Sequence, residues 1–452
     1  HPLLRRPSGH VTPANDISKL RQMKINYFKQ AWASMRQQPV VSTVSVIGTA
    51  LAIFLIMIVV MILEIEIVPF APESNRDRWL VQRFGSIKHK QWGENDSSNG
   101  PLGYNAIKAV FYEMKTPEAV TAFEVHPEIA SLSVPGQPAF GTEKLGVDHG
   151  FFDVMDFTFI SGKPFTKADF ESAIPMAVLS ESTARRLFGS TDVTGREFSI
   201  NHAPYRVSGV VKDVSNLAKL AYANVWIPFT TTNTAKYSWC SYMGGLSAVI
   251  LAKDPSDFPA IREEYNRLFA KLGDEAKASG WEFIMRDRPY TQEVSANTPW
   301  ANSSPDMDRV HRSHFIIYLI LLLVPAVNLS SMTHSRLQRR REEIGVRRAF
   351  GAKRSTIVTD IFIENLVITI LAGIIGLILS VVFALIWGGT LFAPSYGSGA
   401  LTSTGVGIGM LFHWSTFGWA MLFCFILNLL SAGIPSWQAS RINIVNAISG
   451  KR

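Results

Sequence analysis

The stretch SRLQRRREEIGVRRAFGAKR, residues 335–354, decides how the chain is arranged, because it lies between two long apolar segments. It holds eight Arg or Lys and two Glu, a charge density that hydrocarbon does not tolerate. The stretch must therefore emerge from a membrane between two spans, on the cytoplasmic side where basic residues accumulate. Its middle, residues 339–349, favours a helix, and Gly351 is well placed to end that helix.

The composition of the chain also indicates a membrane protein. Of its 452 residues, 47% are hydrophobic and only 18% are charged, which is a low share of charge for a soluble protein. The net charge of +8 is one reason to consider a nucleic-acid partner. The basic residues cluster beside apolar segments, however, so the positive-inside rule accounts for them, and we predict no binding to nucleic acid.

Four segments of the sequence are predicted to cross the membrane: 40–68, 313–334, 357–392 and 413–435. The first is an uncleaved span rather than a signal peptide, because residues 40–63 carry no charge and exceed the roughly 20 residues that cross a bilayer. Basic residues precede this span and acidic residues follow it. Together with the basic stretch 335–354, this pattern places both termini in the cytoplasm.

The remaining parts of the chain follow from these spans. We predict a membrane protein with four transmembrane helices in a 1+3 arrangement, and a large α+β extracytoplasmic domain inserted between the first and second spans. The predicted segments between and beside the spans are 1–22 (a tag or disordered extension), 23–39 (a cytoplasmic amphipathic helix), 69–312 (the extracytoplasmic domain, with two subdomains), 335–356 (a cytoplasmic loop or helix), 393–412 (an external loop) and 436–452 (a cytoplasmic tail).

Local patterns predict several elements of the extracytoplasmic domain. Short runs rich in β-branched and aromatic residues predict strands, and apolar residues at helical spacing predict helices. The predicted strands are 79–81, 130–134, 198–200, 205–211 and 248–251. The predicted helices are 104–114, 180–188 and 258–272.

The sequence lacks the motifs of several enzyme classes. It contains no GxxxxGK[ST] phosphate loop, no CxxC and no HExxH. Four carboxylates lie close together in sequence, at Glu143, Asp148, Asp153 and Asp156, and we interpret them as a solvated face rather than a general acid and base. We therefore predict that this chain is not an enzyme and binds no metal or cofactor itself.

Three sets of residues resemble one family. Residues 340–369, RREEIGVRRAFGAKRSTIVTDIFIENLVIT, resemble the signature of the MacB/FtsX-type permeases of ABC transporters, the mechanotransmission group. Residues 439–448, ASRINIVNAI, resemble the family's C-terminal ending, although Ile444 and Val445 stand where that ending usually has Pro followed by Ile or Val. The ordered motifs from Gly150 to Val210 resemble the MacB-like periplasmic core domain.

The resemblance implies a permease subunit of the cell inner membrane whose large domain is periplasmic. ATP and Mg would bind to a separate ABC ATP-binding subunit, present in two copies. A second permease subunit, identical or different, would complete the assembly, together with membrane lipid and a periplasmic adaptor or outer-membrane component. The cytoplasmic segment 335–356 would be a coupling helix that docks on the ATP-binding subunit. The family's role carries over to Arg341, Glu342, Glu343, Ile344, Gly345, Arg347, Arg348, Gly351 and Ala352.

Five further residues in or beside the predicted spans are candidates for a role in the membrane or at an interface. Pro325 is expected to kink the second span, and Gly373 and Gly376 to permit close approach of helices. The other two are Asn328 and Glu364. The function implied is efflux or extrusion of peptides, drugs or lipoproteins, driven by ATP hydrolysis on the partner. Two alternatives remain open: an FtsX-like regulator that activates an external cell-wall hydrolase or signalling partner, and a sensor without an ATPase.

Overall fold

A computed structural model describes residues 39–236, 240, 242–339 and 341–391, together with Arg36 and isolated positions between 419 and 433. The chain divides into two compact units. Among the described residues, one comprises 39–60, 313–339 and 341–382 with the isolated positions outside these ranges, and the other comprises 61–236, 240, 242–312 and 383–391. The predicted segments 1–22, 393–412 and 436–452 lie outside the described residues, as do most of 23–39 and 413–435.

The described α-helices are α1 (Pro39–Glu64), α2 (Tyr104–Ala106), α3 (Phe151–Val154), α4 (Lys167–Glu171), α5 (Glu181–Phe188), α6 (Phe258–Ala278), α7 (Gln292–Ala296), α8 (Met307–Arg339), α9 (Arg341–Ala349) and α10 (Arg354–Leu391). A π-helical turn, Ile107–Phe111, continues α2, and 3₁₀ turns occur at Arg76–Arg78, Phe229–Thr231, Asn233–Ala235 and Pro255–Asp257.

The described strands are β1 (Trp79–Gln82), β2 (Gly85–His89), β3 (Ser98–Gly100), β4 (Ala119–Glu124), β5 (Glu128–Ser133), β6 (Phe140–Val147), β7 (Phe159–Gly162), β8 (Met176–Ser180), β9 (Glu197–Ile200), β10 (Ala203–Val211), β11 (Val225–Pro228), β12 (Leu246–Leu251), β13 (Trp281–Phe283) and β14 (Tyr290–Thr291).

Six of these strands close into a small barrel. Their order is β11-β8-β10-β9-β5-β6, and β6 then pairs with β11, so the ring has no free edge. The pairs β8–β10 and β6–β11 are parallel and the other four pairs are antiparallel. Alternate residues point inward and form a dry core that includes Leu132, Leu179, Val207, Val225 and Ile227.

A flatter sheet continues from the barrel through β4, β12, β1 and β14. Strands β4 and β12 pair over their full length, from Ala119 opposite Leu251 to Glu124 opposite Leu246. Helix α6 packs on the π-helical turn and on β13. It buries Ile261, Tyr265, Phe269, Leu272 and Ala276, a spacing of three or four residues that forms one apolar face. A separate three-stranded sheet has the order β13-β2-β3.

The α+β character of the inserted domain is confirmed, and so are the elements that were predicted within it. All five predicted strands occur, as β1, β5, β9, β10 and β12, and the predicted helices correspond to α2 with its π turn, α5 and α6. The other strands were not predicted. Several of them, such as β6 and β8, are buried on both faces and lack the alternation of polar and apolar residues that marks a half-buried strand.

Two helices in the described part of the chain are long and apolar enough to cross a bilayer, over residues 42–64 and 355–388. Helix α8 covers the predicted second span and extends it from 313–334 to 307–339. Helix α10 begins three residues before the predicted 357 and ends one residue before 392. Its 38 residues measure about 57 Å, which exceeds the roughly 30 Å of hydrocarbon. The four-span count and the 1+3 arrangement stay predictions.

Candidate functional site

The basic stretch forms helix α9, and a glycine ends it as the sequence predicted. Gly351 adopts a left-handed φ of +93°, and the amide of Ala352 donates to the carbonyl of Arg347 at 3.1 Å. The amide of Phe350 donates to the carbonyl of Val346, also at 3.1 Å. The bond from Ala352 to Arg347 is the six-to-one bond of a Schellman motif, which requires a left-handed residue at its centre. The chain therefore turns sharply between α9 and α10.

One face of α9 packs on the beginning of α10. Ile344 is buried against Ile357 and Ile361 of α10. The guanidinium of Arg347 lies 3.6 Å from the carboxylate of Asp360, which adds a polar contact between the same two helices. Because an apolar contact and an ion pair both join α9 to α10, the two helices can move together.

The opposite face of α9 is exposed and partly apolar. Phe350 is 88% exposed and Val346 is 45% exposed, and their spacing of four residues places them on the same side. The side chain of Arg347 is also 45% exposed, so a cation borders the apolar pair. An exposed aromatic beside Arg is the composition of energetically important residues in protein interfaces.

The predicted coupling residues fall on α9 and on the turn that follows it. The side chains of Arg341, Glu342, Glu343 and Arg348 lie outside the described residues. Gly345 is buried, and Ala352 is half-buried beyond the exposed Gly351.

Sequence reasoning missed Asp360 as the partner of Arg347, because the two residues are thirteen apart and belong to different helices. It also gave no interface role to Val346 or Phe350. The signal for Val346 and Phe350 was present in their spacing of four on an otherwise charged helix.

A glycine of α10 lies against α1. A Cβ at Gly376 would approach the carbonyl oxygen of Ala50 to 2.7 Å and the side chain of Ile53 to 3.1 Å, so only glycine fits this contact without a shift. Gly373, one turn earlier, is also buried, and Glu364 is half-buried. Pro325 and Asn328 belong to α8, and their side chains lie outside the described residues.

In the other unit, Arg76 holds the chain that leaves α1. Its guanidinium donates to the carbonyl oxygens of Ile65 at 2.8 Å and Val68 at 3.0 Å, and to that of Leu217 at 3.3 Å. It also pairs with Glu73 at 2.6 Å, and the two side chains are 1% and 0% exposed. A buried ion pair is stable only when its remaining hydrogen-bonding groups are also satisfied, and here the guanidinium reaches three carbonyls.

The carboxylate of Glu73 completes this network. One of its oxygens accepts from the backbone amides of Leu220 at 2.7 Å and Ala221 at 3.0 Å. We call Glu73 and Arg76, with the backbone groups of 65–68 and 217–221 that they bind, the Arg76 clamp. The clamp joins the segment that follows α1 to a loop about 150 residues later in the sequence.

Two further contacts join the same segment to more distant parts of the core domain. Gln292 of α7 donates to the carbonyl of Glu66 at 2.6 Å and accepts from the indole of Trp79 at 2.9 Å. The carboxylate of Glu66 pairs with Lys219. Segment 65–68 is therefore held by Arg76 of the clamp, by Gln292 and by Lys219. The sequence signal was the charged run ESNRDR immediately after a predicted span.

The interpretation of four carboxylates as a solvated face is wrong for two of them. Glu143 and Asp148 are both 0% exposed, whereas Asp153 and Asp156 are exposed. Asp148 accepts from the hydroxyl of Thr121 at 2.6 Å, the amide of Ala122 at 2.7 Å and the hydroxyl of Tyr112 at 2.8 Å. Burial raises the pKa of Asp148 despite these bonds, and burial next to that carboxyl raises the pKa of Tyr112.

Glu143 accepts from the amide of Asn224 at 2.8 Å, which joins β6 to the residue before β11. Both carboxylates were misread because β6, which holds Glu143, and the turn after it, which holds Asp148, are buried by residues distant in sequence. Their bonds connect neighbouring strands and turns of the core domain.

Two family profiles match this chain in order. The profile of the MacB-like periplasmic core domain matches residues 42–268, half of the chain, and the profile of the FtsX-like permease C-terminal region matches residues 315–444. This chain is a MacB/FtsX-type permease. It is a membrane permease with a periplasmic MacB-like domain. The FtsX-like match contains α9, and the MacB-like match contains the Arg76 clamp.

The relatives of this MacB/FtsX-type permease differ in length. It is 24% identical to the uncharacterized ABC transporter permease YknZ of Bacillus subtilis, and the match covers 82% of each chain. It is 23% identical to the macrolide export ATP-binding/permease protein MacB of Escherichia coli K12, over 67% of this chain and 43% of that protein. This permease thus spans less than half the length of MacB.

The solved structure of the periplasmic region of MacB from Actinobacillus actinomycetemcomitans is also similar to part of this chain. It is 19% identical, the match covers 49% of this chain and 94% of that one, and the TM-score is 0.32. The assignment to the MacB/FtsX-type permeases rests on the two profiles rather than on this likeness.

Proposed function

We propose that this chain is the permease subunit of an ABC transporter that takes its energy from a separate cytoplasmic ATP-binding subunit. The observation that carries the proposal is the exposed apolar pair at the end of α9, Val346 and Phe350, which Arg347 borders while Ile344 packs on α10. Such a face can bind in a groove on a partner. Because α9 is attached to α10, a partner that binds α9 can move that long apolar helix.

Two relatives support the proposal of a separate ATP-binding subunit. YknZ, matched over 82% of each chain, is named a permease, whereas MacB, of which the match covers 43%, is named an ATP-binding/permease protein. ATP and Mg would bind to the partner, because a phosphate loop and its Ser or Thr supply the ligands for both. Two copies of that subunit and a second permease subunit would form the assembly.

We further propose four spans in a 1+3 arrangement, with both termini and α9 in the cytoplasm. The basic residues around α9 support this orientation under the positive-inside rule. Movement of α9 would shift α10 and, through the membrane helices, the periplasmic domain. The Arg76 clamp would keep the segment after α1 attached to the core domain during this movement, because its buried ion pair and backbone bonds hold that segment.

The transported or extruded substrate would be handled by the periplasmic domain, with peptides, drugs and lipoproteins as the classes proposed. A periplasmic adaptor or outer-membrane component would receive it, and membrane lipid would surround the helices. Membership of the MacB/FtsX-type permeases supports these partners.

Purification of the tagged full chain from the membranes of its own host tests this function. We expect an ATP-binding subunit that carries a phosphate loop to co-purify in a one-to-one ratio with the permease, and the complex to hydrolyse ATP. Mass spectrometry identifies the subunit, and a coupled phosphate assay measures hydrolysis. A permease that is folded and homogeneous but carries neither the subunit nor the activity would contradict the proposal.

A further inference from the structure

A polar groove lies on the core domain beside the small sheet β13-β2-β3, away from the Arg76 clamp. Its volume is about 720 Å³. Three segments distant in sequence form it: the turn between β2 and β3, the loop after β13, and the segment before α8. The described residues that line it are Trp92, Asn95, Asp96, Ser97, Asn99, Arg286 and Asn302.

The indole of Trp92 is held in place and is 36% exposed. It meets the ring of Trp281 edge to face at 5.4 Å and lies 6.2 Å from the ring of His89. The turn that carries Trp92 is closed by Asp96, whose carboxylate accepts from the amide of Gly93 at 3.0 Å and whose own amide donates to the carbonyl of Gly93 at 3.1 Å. The groove therefore presents a fixed aromatic surface, which lowers the entropic cost of binding a ring.

Amide groups supply most of the hydrogen-bonding capacity of the groove, from Asn95, Asn99 and Asn302. The amide nitrogen of Asn99 donates to the hydroxyl of Ser97 at 2.9 Å. The oxygen of the Asn99 side chain is buried and has no hydrogen-bond partner among the residues that the structure describes. An unpaired buried acceptor costs about 1–3 kcal/mol, so a turn of the Asn99 amide into the groove, where a ligand donor could pair with its oxygen, would be favourable.

The loop after β13 is strained where it borders the groove. Arg286 and Asp287 have φ values of 51° and 57°, in the left-handed region that non-glycine residues rarely adopt. The Nε atom of Arg286 donates to the hydroxyl of Ser86 at 3.2 Å, which orients the guanidinium. Strained residues of this kind persist where the surrounding structure holds them and often mark binding sites.

The chemistry of the lining selects one class of ligand. Asp96 and Arg286 have opposite charge, so the groove offers no net attraction to an anion or a cation. One carboxylate is too few for a divalent metal ion, which needs several oxygen ligands. The lining is too polar for a purely apolar molecule. Amides that each offer a donor and an acceptor, next to a partly exposed indole, match a ring that has hydroxyl groups on its edge and C–H groups on its face.

We propose that this groove binds a short neutral saccharide, with one sugar ring on Trp92 and its hydroxyl groups on the asparagine amides and Asp96. The proposal does not depend on coupling to an ATP-binding subunit, because every residue involved belongs to the core domain. Five of the seven described lining residues lie at positions 92–99, within the MacB-like match, and Arg286 and Asn302 lie between the two regions that the family profiles match.

Saturation-transfer difference NMR on the full chain in nanodiscs tests the site, with maltotetraose and tetra-N-acetylchitotetraose as probes. We expect transfer to the C–H protons of at least one probe, and a Kd of about 1 mM or tighter. Trp92→Ala should weaken binding about tenfold, the loss of one aromatic stacking contact. Asn95→Ala, in the exposed turn, should also weaken it.

Gln91→Ala is the matched control, since Gln91 is an exposed amide on the same turn and does not line the groove. It should leave the Kd unchanged, and the thermal unfolding midpoint of each variant should match that of the parent chain. Absence of transfer to both probes would overturn the proposal. Binding that persists unchanged in both Trp92→Ala and Asn95→Ala would overturn it as well, because the saccharide would then sit elsewhere.

Discussion

Phe350→Ala is expected to release the ATP-binding subunit while leaving the permease folded. Phe350 is 88% exposed, so its removal takes little packing from the chain itself. An aromatic side chain at the centre of an interface contributes about 2 kcal/mol or more to binding, which corresponds to roughly a 30-fold loss of affinity. The measurement is the amount of ATP-binding subunit retained per permease after purification, together with the ATPase activity of the complex.

Arg185→Ala is a suitable control for this experiment. Arg185 lies on α5 of the core domain, where its side chain is 58% exposed and pairs with Glu181 at 2.9 Å. Its removal deletes a large exposed side chain without altering α9, so retention of the subunit should stay at the parent level. If Phe350→Ala and Arg185→Ala retain the subunit equally well and hydrolyse ATP equally fast, α9 is not the coupling element.

Arg76→Ala is expected to destabilise the core domain strongly. The substitution leaves the Glu73 carboxylate buried without its cation and removes donors from the carbonyls of Ile65, Val68 and Leu217. Breaking one partner of a buried pair costs about 3–5 kcal/mol. For a domain of this size, the thermal midpoint should fall by roughly 6–20 °C. Tryptophan fluorescence of the purified full chain during heating measures this midpoint.

Arg206→Ala provides the comparison, because Arg206 also pairs with a glutamate but on the surface. The side chains of Arg206 and Glu197 are 59% and 67% exposed, and their distance is 3.1 Å. An exposed pair contributes about 1 kcal/mol at most, so this variant should unfold within a few degrees of the parent chain. Equal midpoints for the two variants would show that the Arg76 clamp does not secure the segment after α1.

Local features of the fold were accessible from the sequence. The apolar spacing along residues 258–272 predicted α6 because a single helical face packs on the domain, and the structure extends that helix to Ala278. Gly351, near the end of the basic stretch, predicted the end of α9, since only a left-handed residue closes the Schellman motif there. Both features depend on residues that are close together in the chain.

Features that depend on contacts between residues far apart in the sequence could not be predicted from it. Closure of the barrel requires β6 and β11 to pair in parallel, with Lys144 opposite Val225, and no local pattern specifies that partner. The buried state of Asp148 was also missed, because its partners Tyr112, Thr121 and Ala122 lie 26 to 36 residues earlier in the chain.

The same limit applied to the candidate site. The basic charge of α9 was evident, but the contact of Arg347 with Asp360 depends on how α9 folds back on α10. Glu73 and Arg76 were visible as charged residues after a span, whereas their bonds to 217–221 bridge more than 140 residues.

The most direct test of the central claim is site-specific cross-linking of α9 to the ATP-binding subunit. A photoreactive benzoylphenylalanine is placed at position 350 and, as a control, at the exposed position 174 of the core domain, where Ile174 is 41% exposed. Both chains are illuminated in native membranes and analysed by denaturing gels and mass spectrometry. We expect an adduct with the ATP-binding subunit from position 350 and none from position 174. An adduct absent at position 350 while the subunit still co-purifies would contradict the central claim.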